Sequence, residues 1–294
     1  MFDLTAYLEQ KQALVGQSLE RHLPAATERP ARLHEAMRYS VLAGGKRLRP
    51  ILCLAACEAV GGAEDDALLP ALAVEALHTY TLIHDDLPAM DDDALRRGKP
   101  TCHVVYGEAA AILAGDALLT LAFEWLARCR APKPYLPNQL ALELAEAAGS
   151  RGVIGGQIED LAAEGRPPDA ALLEYIHLHK TAALIRAAVR MGAIAGGAEQ
   201  AELDALTIYG CDAGLAFQIT DDLLNATSST EELGKAAGSD ARRRKLTYVA
   251  VHGSPAARER AEQLVNRATG ELARLRGNAE PLRALARHIA ARTR

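Results

Sequence analysis

Apolar residues recur at helical spacing almost from end to end of this 294-residue chain, with few interruptions. Pro24 and Pro30 bracket a break after a first helix, and Gly44-Gly45 with Pro50 punctuate the next junction. Gly61-Gly62 closes a helix that carries Cys53 and Cys57. A long apolar stretch over 68–84 then runs into an acidic cluster, where Pro88 should end or bend it. The pattern over 109–129 reads as a buried helix, stopped by Ala131-Pro132-Lys133-Pro134. Further helices are predicted over 138–151, 172–192 and 199–224, followed by a polar loop over 228–244 and a helical region to the C-terminus. The pattern shows no internal repeat, no low-complexity tract and no convincing strand. It predicts one all-α domain over residues 1–294, of roughly ten helices.

Composition agrees with that reading. Aromatic residues are only 4% of the chain while Ala and Leu abound, which favours a helical core over a β-sandwich. Hydrophobic residues at 49% and charged residues at 24% fit a globular protein. A net charge of −5 is too mild to imply a nucleic-acid partner. The sequence shows no run of about 18 apolar residues, and charges are spread through residues 1–21, so neither a membrane span nor a signal peptide is expected. The five cysteines are odd in number and scattered. Without neighbouring His they read as core thiols, and a cytoplasmic location is expected.

Two acidic clusters carry the candidate chemistry. The first is Asp85-Asp86-Leu87-Pro88-Ala89-Met90-Asp91-Asp92-Asp93, and the second is Asp221-Asp222-Leu223-Leu224-Asn225. Taken singly, an acidic run is an ordinary solvated helix end. Here both follow apolar leads, and carboxylates packed so closely repel one another, the more so when buried. They call for a cation, and Mg2+ carrying phosphate oxygens suits one or two carboxylates per ion. Asp221 and Asn225 share a helix face at four-residue spacing. Asp85 and Asp91, six apart, would not align on an ideal helix unless Pro88 loosens it. Basic residues follow glycines at Gly44-Gly45-Lys46-Arg47-Leu48-Arg49-Pro50 and in Arg96-Arg97-Gly98-Lys99-Pro100, and such side chains can converge on phosphate oxygens. Neither is a P-loop, and HExxH, GxSxG, CxxC and GxGxxG are all absent. Ionisation of an allylic diphosphate uses this set of parts: cations on the leaving group, and an apolar cavity around the carbocation.

These motifs, in this order, resemble the trans-isoprenyl diphosphate synthases, most of all the bacterial farnesyl and geranylgeranyl diphosphate synthases. The segment from Leu82 through Asp91, followed by Arg96-Arg97-Gly98-Lys99-Pro100-Thr101, is similar to the family's first aspartate-rich motif in its DDxxxxD form. Phe217-Gln218-Ile219-Thr220-Asp221-Asp222 is similar to the second. Gly155-Gly156-Gln157, His179-Lys180-Thr181 and Gly234-Lys235 match as well. The resemblance implies helices around a deep central cavity, a homodimer, and three Mg2+ ions with substrate bound. It implies that Asp85 and Asp91 hold two ions and Asp221 the third, with Asp86 and Asp222 in support. Arg96, Lys180, Lys235 and Lys245 would hold the allylic diphosphate. Lys46, Arg49, His78 and Arg97 would hold that of isopentenyl diphosphate, and Thr181 and Gln218 would line the path of the developing cation.

Two departures stand out. The last position of the second motif is Asn225, which keeps an acceptor oxygen and loses the charge, so weakened metal affinity rather than a dead site is expected. Leu246 and Val249 replace residues usual beside Lys245. Product length rests on Tyr80 and Thr81, five and four residues before Asp85. An aromatic ring there favours a C15 product, farnesyl diphosphate, with C20 geranylgeranyl diphosphate as the alternative. A class I terpene cyclase fits less well, since the spacing from Asp221 to Glu231 is wrong for it and three Phe with one Trp make a poor cyclase lining. An inactive partner subunit is favoured by Asn225 alone.

Overall fold

The computed structural model describes residues 2–227 and 245–291. Fourteen α-helical segments appear among them, rather than the expected ten or so, because short turns of helix and interruptions divide the longer stretches. In chain order these are α1 (Leu4–His22), α2 (Ala31–Val41), α3 (Leu48–Ala59), α4 (Glu64–Asp85), α5 (Cys102–Tyr106), α6 (Glu108–Ala127) and α7 (Gln139–Ala148). There follow α8 (Val153–Ala163), α9 (Ala170–Ile176), α10 (Ala183–Ala195), α11 (Gln200–Thr227), α12 (Tyr248–His252), α13 (Ser254–Glu271) and α14 (Glu280–Ala291). The region expected as a single helix over 138–151 ends at Ala148, and α8 is an additional helix starting at Val153. The expectation of no strand is corrected by a two-residue antiparallel ribbon, β1 (Leu95–Arg96) paired with β2 (Lys99–Pro100), whose turn holds Arg97 and Gly98 at positive φ.

Helices α3 and α10 are buried nearly all round and pack against each other and against α4, forming the centre of the core. Their sequences are almost wholly apolar, as a helix surrounded on every side requires. Close approach depends on Gly192, where a Cβ would lie 2.7 Å from the Cys53 carbonyl carbon. Three acidic residues, Glu64, Asp65 and Asp66, open α4, where they complement the helix dipole. The Asp66 side chain also accepts the Ala63 N–H at 3.0 Å. The helix passes through Pro70 and stops at Asp85, three residues short of Pro88. Helix α6 packs along α4, and α11 lies against α10 and α13.

Among the described residues α6 alone is long and apolar enough to cross a membrane by length and composition, a property that a buried core helix shares. One face of it is core and packs on α4; the other leaves Ile112 and Leu113 exposed. Of the cysteines, Cys53, Cys57 and Cys102 are buried and all five are unbridged. Burial pushes the Cys57 thiol up to about 12, so it stays protonated.

Between α9 and α10 the chain makes six residues of π-helix, His177–Ala182. The widened turn lies exactly where His179-Lys180-Thr181 was singled out, and it packs on α8 and α11. Gly156 of α8 makes the contact possible. A Cβ there would land on the Lys180 backbone nitrogen and 2.7 Å from its Cα. Gly156→Ala is therefore expected to destabilise the fold by roughly 1–3 kcal/mol through overpacking, and to displace Lys180. Chemical denaturation of the variant checks the first, and an unchanged midpoint would show that the crossing can give way.

Candidate active site

A cavity of about 520 Å³ opens between the C-terminal half of α4, the inner face of α8, the π-helical turn, the last turns of α11 and residues 245–247. It collects six carboxylates, Asp85, Asp91, Asp93, Asp160, Asp221 and Asp222, against four cations, Arg49, Arg96, Lys180 and Lys245. The lower walls are apolar: Val153, Ile154, Ile158, Ile176 and Leu184. The two aspartate clusters are thus brought to one cavity from helices distant in sequence.

The stretch after α4 solves the spacing problem of the first cluster. The Asp91 N–H donates to the Asp85 carbonyl at 2.7 Å, and the Asp93 N–H donates to that of Asp86 at 3.2 Å. The chain therefore folds back in a tight loop, with Asp92 at φ 48°, and Asp85 and Asp91 both line the cavity. In each Asp-Asp pair the second residue is engaged elsewhere. Asp86 is buried and receives Arg96 in a two-pronged ion pair, Nε to Oδ2 at 2.8 Å and Nη2 to Oδ1 at 2.5 Å. Asp222 is buried and accepts the Gln218 Nε2 at 2.8 Å and the Tyr248 N–H at 2.6 Å, with His177 Nε2 3.4 Å away. Bidentate Arg–carboxylate contacts of this kind are strong and fix orientation.

Gln218 and Thr181 form one unit with Asp222. Because the Gln218 amide donates to Asp222, its oxygen faces Thr181, whose hydroxyl donates to it at 2.7 Å. The oxygen of Thr181 is left as an acceptor toward the cavity. Arg49 and His78 form a second unit, with Arg49 Nη1 3.1 Å from His78 Nε2. An arginine can only donate, so that ring nitrogen is the acceptor and His78 is neutral. Burial, with Arg49 next, holds His78 well below its usual range. The Arg49 Nε is buried and finds no protein partner among the described residues.

Other expected site residues are dispersed. Arg97 arches over the glycine turn and donates to the Gly44 carbonyl; it borders a smaller crevice rather than the main cavity. Lys46 is exposed on that turn and is not part of the main cavity wall. Arg47, one residue on, turns inward to Glu75 at 2.5 Å and is structural. Lys235 lies outside the described residues. Tyr80 is buried in the cavity wall, its ring edge-on to His84 at 5.2 Å, and Thr81 lines the wall while donating to the His78 carbonyl at 2.8 Å.

Sequence reasoning missed Asp160. Its buried carboxylate accepts Lys180 Nζ at 2.6 Å and has Lys245 Nζ at 3.5 Å; Lys245 also reaches Asp91 at 2.9 Å. Gln157, quoted in the sequence only as part of the Gly155-Gly156-Gln157 match, has its amide nitrogen and oxygen buried in the cavity wall without protein partners among the described residues. The available signal was the helical spacing of Val153, Gln157 and Asp160, which puts polar groups on the buried face of α8.

Hard oxygen donors on facing walls fit Mg2+. No three His, Cys, Asp or Glu side chains among the described residues converge tightly enough to cage an ion unaided. Such a site suits an ion whose remaining oxygens come from substrate and water.

An all-α shell around an apolar cavity, rimmed by two aspartate clusters and by cations, defines a prenyltransferase. The chain belongs to the polyprenyl synthetase family, whose model matches residues 30–278. It is 50% identical over 299 residues to geranylgeranyl pyrophosphate synthase 12, chloroplastic, of Arabidopsis thaliana, covering 99% of this chain and 82% of that protein. The crystal structure of an FPP/GFPP synthase from Zymomonas mobilis superposes with a TM-score of 0.85 at 38% identity, over 98% of both chains. A geranyltransferase from Helicobacter pylori, complexed with magnesium and isoprenyl diphosphate, gives 0.84 at 34% identity, over 99% of this chain and 97% of that one.

Burial pushes the Asp85 carboxyl up to about 6; Lys180 pulls the other way and Asp91 adds to the rise. With the folded value above the unfolded one, the ionised group opposes folding. That cost is absent below the ordinary carboxylate range and complete once pH has risen past about 6. Asp85→Asn is therefore expected to raise Tm at pH 8 in the presence of chelator, by roughly 2–4 °C for each kcal/mol relieved, and to lose the advantage near pH 4. Equal melting at pH 8 would mean that the charge is compensated in the folded state.

Proposed function

We propose that this prenyltransferase condenses isopentenyl diphosphate head-to-tail with dimethylallyl and geranyl diphosphates and releases the C15 product, farnesyl diphosphate. The observation that carries the length assignment is Tyr80, a buried ring in the wall of α4 that lies more than one helical turn below Asp85. A growing chain anchored at the aspartates meets that ring, held against His84, before a fourth isoprene unit fits. The relatives' names weigh instead toward C20: the Arabidopsis protein is named a geranylgeranyl synthase, so geranylgeranyl diphosphate is the second reading.

In this reading Lys180, Lys245 and Arg96, with Lys235, hold the allylic diphosphate, and Arg49 and His78, with Lys46 and Arg97, hold that of isopentenyl diphosphate. Asp85 and Asp91 from one wall and Asp221 from the other would hold Mg2+, with three ions expected once substrate is bound. When bound, the metal supplies positive charge against the departing diphosphate. Asp86 and Asp222 keep Arg96 and Gln218 in place. The Thr181 oxygen, oriented by Gln218, faces the developing allylic cation, and the buried apolar wall residues Ile176 and Leu184 keep water from it. The double bond of isopentenyl diphosphate attacks the allylic carbon as the carbon–oxygen bond to diphosphate breaks. A proton is then lost to the released diphosphate, which restores a double bond.

Val104 and Val105 of α5 and Ile112 and Leu113 of α6, on two helices that pack together, are exposed apolar side chains suited to burial against a second copy. A homodimer is the assembly we infer, and sedimentation at micromolar concentration should return twice the 31.3 kDa chain mass; a monomer would refute it.

Incubation with Mg2+, isopentenyl diphosphate and C5, C10 or C15 primers, followed by sizing of the products, tests the reaction. Elongation ending at C15 is expected, and Tyr80→Ala should extend it to C20 or beyond. Failure with every primer would sink the synthase reading, and an unchanged Tyr80→Ala product would remove Tyr80 as the floor.

A further inference from the structure

Asp160 gathers two ammonium groups that come from different parts of the chain. Lys180 arrives on the π-helical turn and lies 2.6 Å from Asp160 Oδ2; Lys245 arrives on the segment before α12 and lies 3.5 Å from the same oxygen. The Asp160 side chain is 7% exposed, so its charge needs these partners, and the two cations need an anion between them to stay close. Lys245 is also 2.9 Å from Asp91 Oδ1. Three residues further on, the Tyr248 N–H on Asp222 fixes the path by which the chain delivers Lys245.

We propose that Asp160 is a positioning residue that stands in for a diphosphate, keeping Lys180 and Lys245 at a separation that two phosphate groups can bridge. This rests on the reading of these lysines as the diphosphate-binding cations. Binding is then an exchange. The incoming diphosphate takes the two lysines from Asp160, and Lys245 leaves Asp91 as it turns, returning that carboxylate's lone pair to the cavity. The carboxylate thus holds the site assembled and competes with the ligand for the same donors.

The competition gives the test an unusual sign. Binding of inorganic pyrophosphate to the full chain is measured by titration calorimetry in chelator, without divalent metal. Asp160→Asn, which is isosteric and uncharged, should bind several-fold more tightly than the unaltered protein, and Asp160→Glu should stay near it. Glu159→Gln, which removes a neighbouring carboxylate on the same helix, should change little. With Mg2+ and both substrates, the KM for the allylic substrate should fall in Asp160→Asn. Should that variant fail to fold by circular dichroism, Asp160→Ser carries the same expectation. Equal or weaker pyrophosphate binding in the folded variant would overturn the exchange, as would an equal gain in Glu159→Gln. If the unaltered protein binds no pyrophosphate even with Mg2+, the diphosphate reading of the site fails instead.

Discussion

Six carboxylates held around one cavity inside a helical shell impose the constraint on which the rest of this structure depends. Burial disfavours the charge on each, and neighbouring carboxylates add to that cost, as the rise of Asp85 to about 6 records, driven first by burial and then by Asp91 against the pull of Lys180. Arg96 is committed to Asp86, and Lys180 and Lys245 gather on Asp160 and Asp91. Asp222 is satisfied by an amide and a backbone N–H. Charges retained in this way stand ready to exchange partners, and a diphosphate with its metal ions is a set of opposite charges that suits the exchange.

A division of labour follows within each Asp-Asp pair. Asp85, Asp221 and Asp222 all line the cavity, but Asp86 and Asp222 also tie elements together: Asp86 joins α4 to the β-ribbon through Arg96, and Asp222 joins α11 to the start of α12. The π-helical turn contributes in a related way. Its extra residue turns Lys180 and Thr181 to the cavity while α9 and α10 continue on either side, and Gly156 lets it press against α8. A regular helix would rotate the following side chains away by about 100° per residue.

Much of this was legible in the residue pattern. Helical periodicity established the fold class, and the apolar leads into both aspartate clusters marked them as cavity residues rather than solvated ends. The apolar stretch over 68–84 became most of α4, its first part packed in the core and its last two turns facing the cavity, with the helix ending shortly before Pro88 as proline chemistry requires. The number of helices was underestimated, because the Gly149–Gly152 break and the short α5 and α12 leave little periodic signal. Asp160 and His177 were overlooked because a single acidic or imidazole group on an apolar face has no local mark of function. Their significance lies in the partners that tertiary contacts supply.

Spacing along one chain could not decide which cations meet which carboxylates. Three basic residues follow Gly44-Gly45, yet Lys46 stays exposed on the turn, Arg47 turns to Glu75 and Arg49 reaches the cavity beside His78. Local sequence determined that positive charge would stand there, since a glycine turn opens α3 at that point. The backbone conformation at Arg47, with φ 49°, and the presence of buried Glu75 on the adjacent α4 determined where each side chain went. Likewise the sequence by itself specified the helices, the two acidic motifs and an aromatic ring at Tyr80. Only the tertiary structure brought Asp91, Asp160, Lys180 and Lys245 within bonding distance, because electrostatic partnership depends on separation in space, and residues 154 positions apart are neighbours only once the helices have packed.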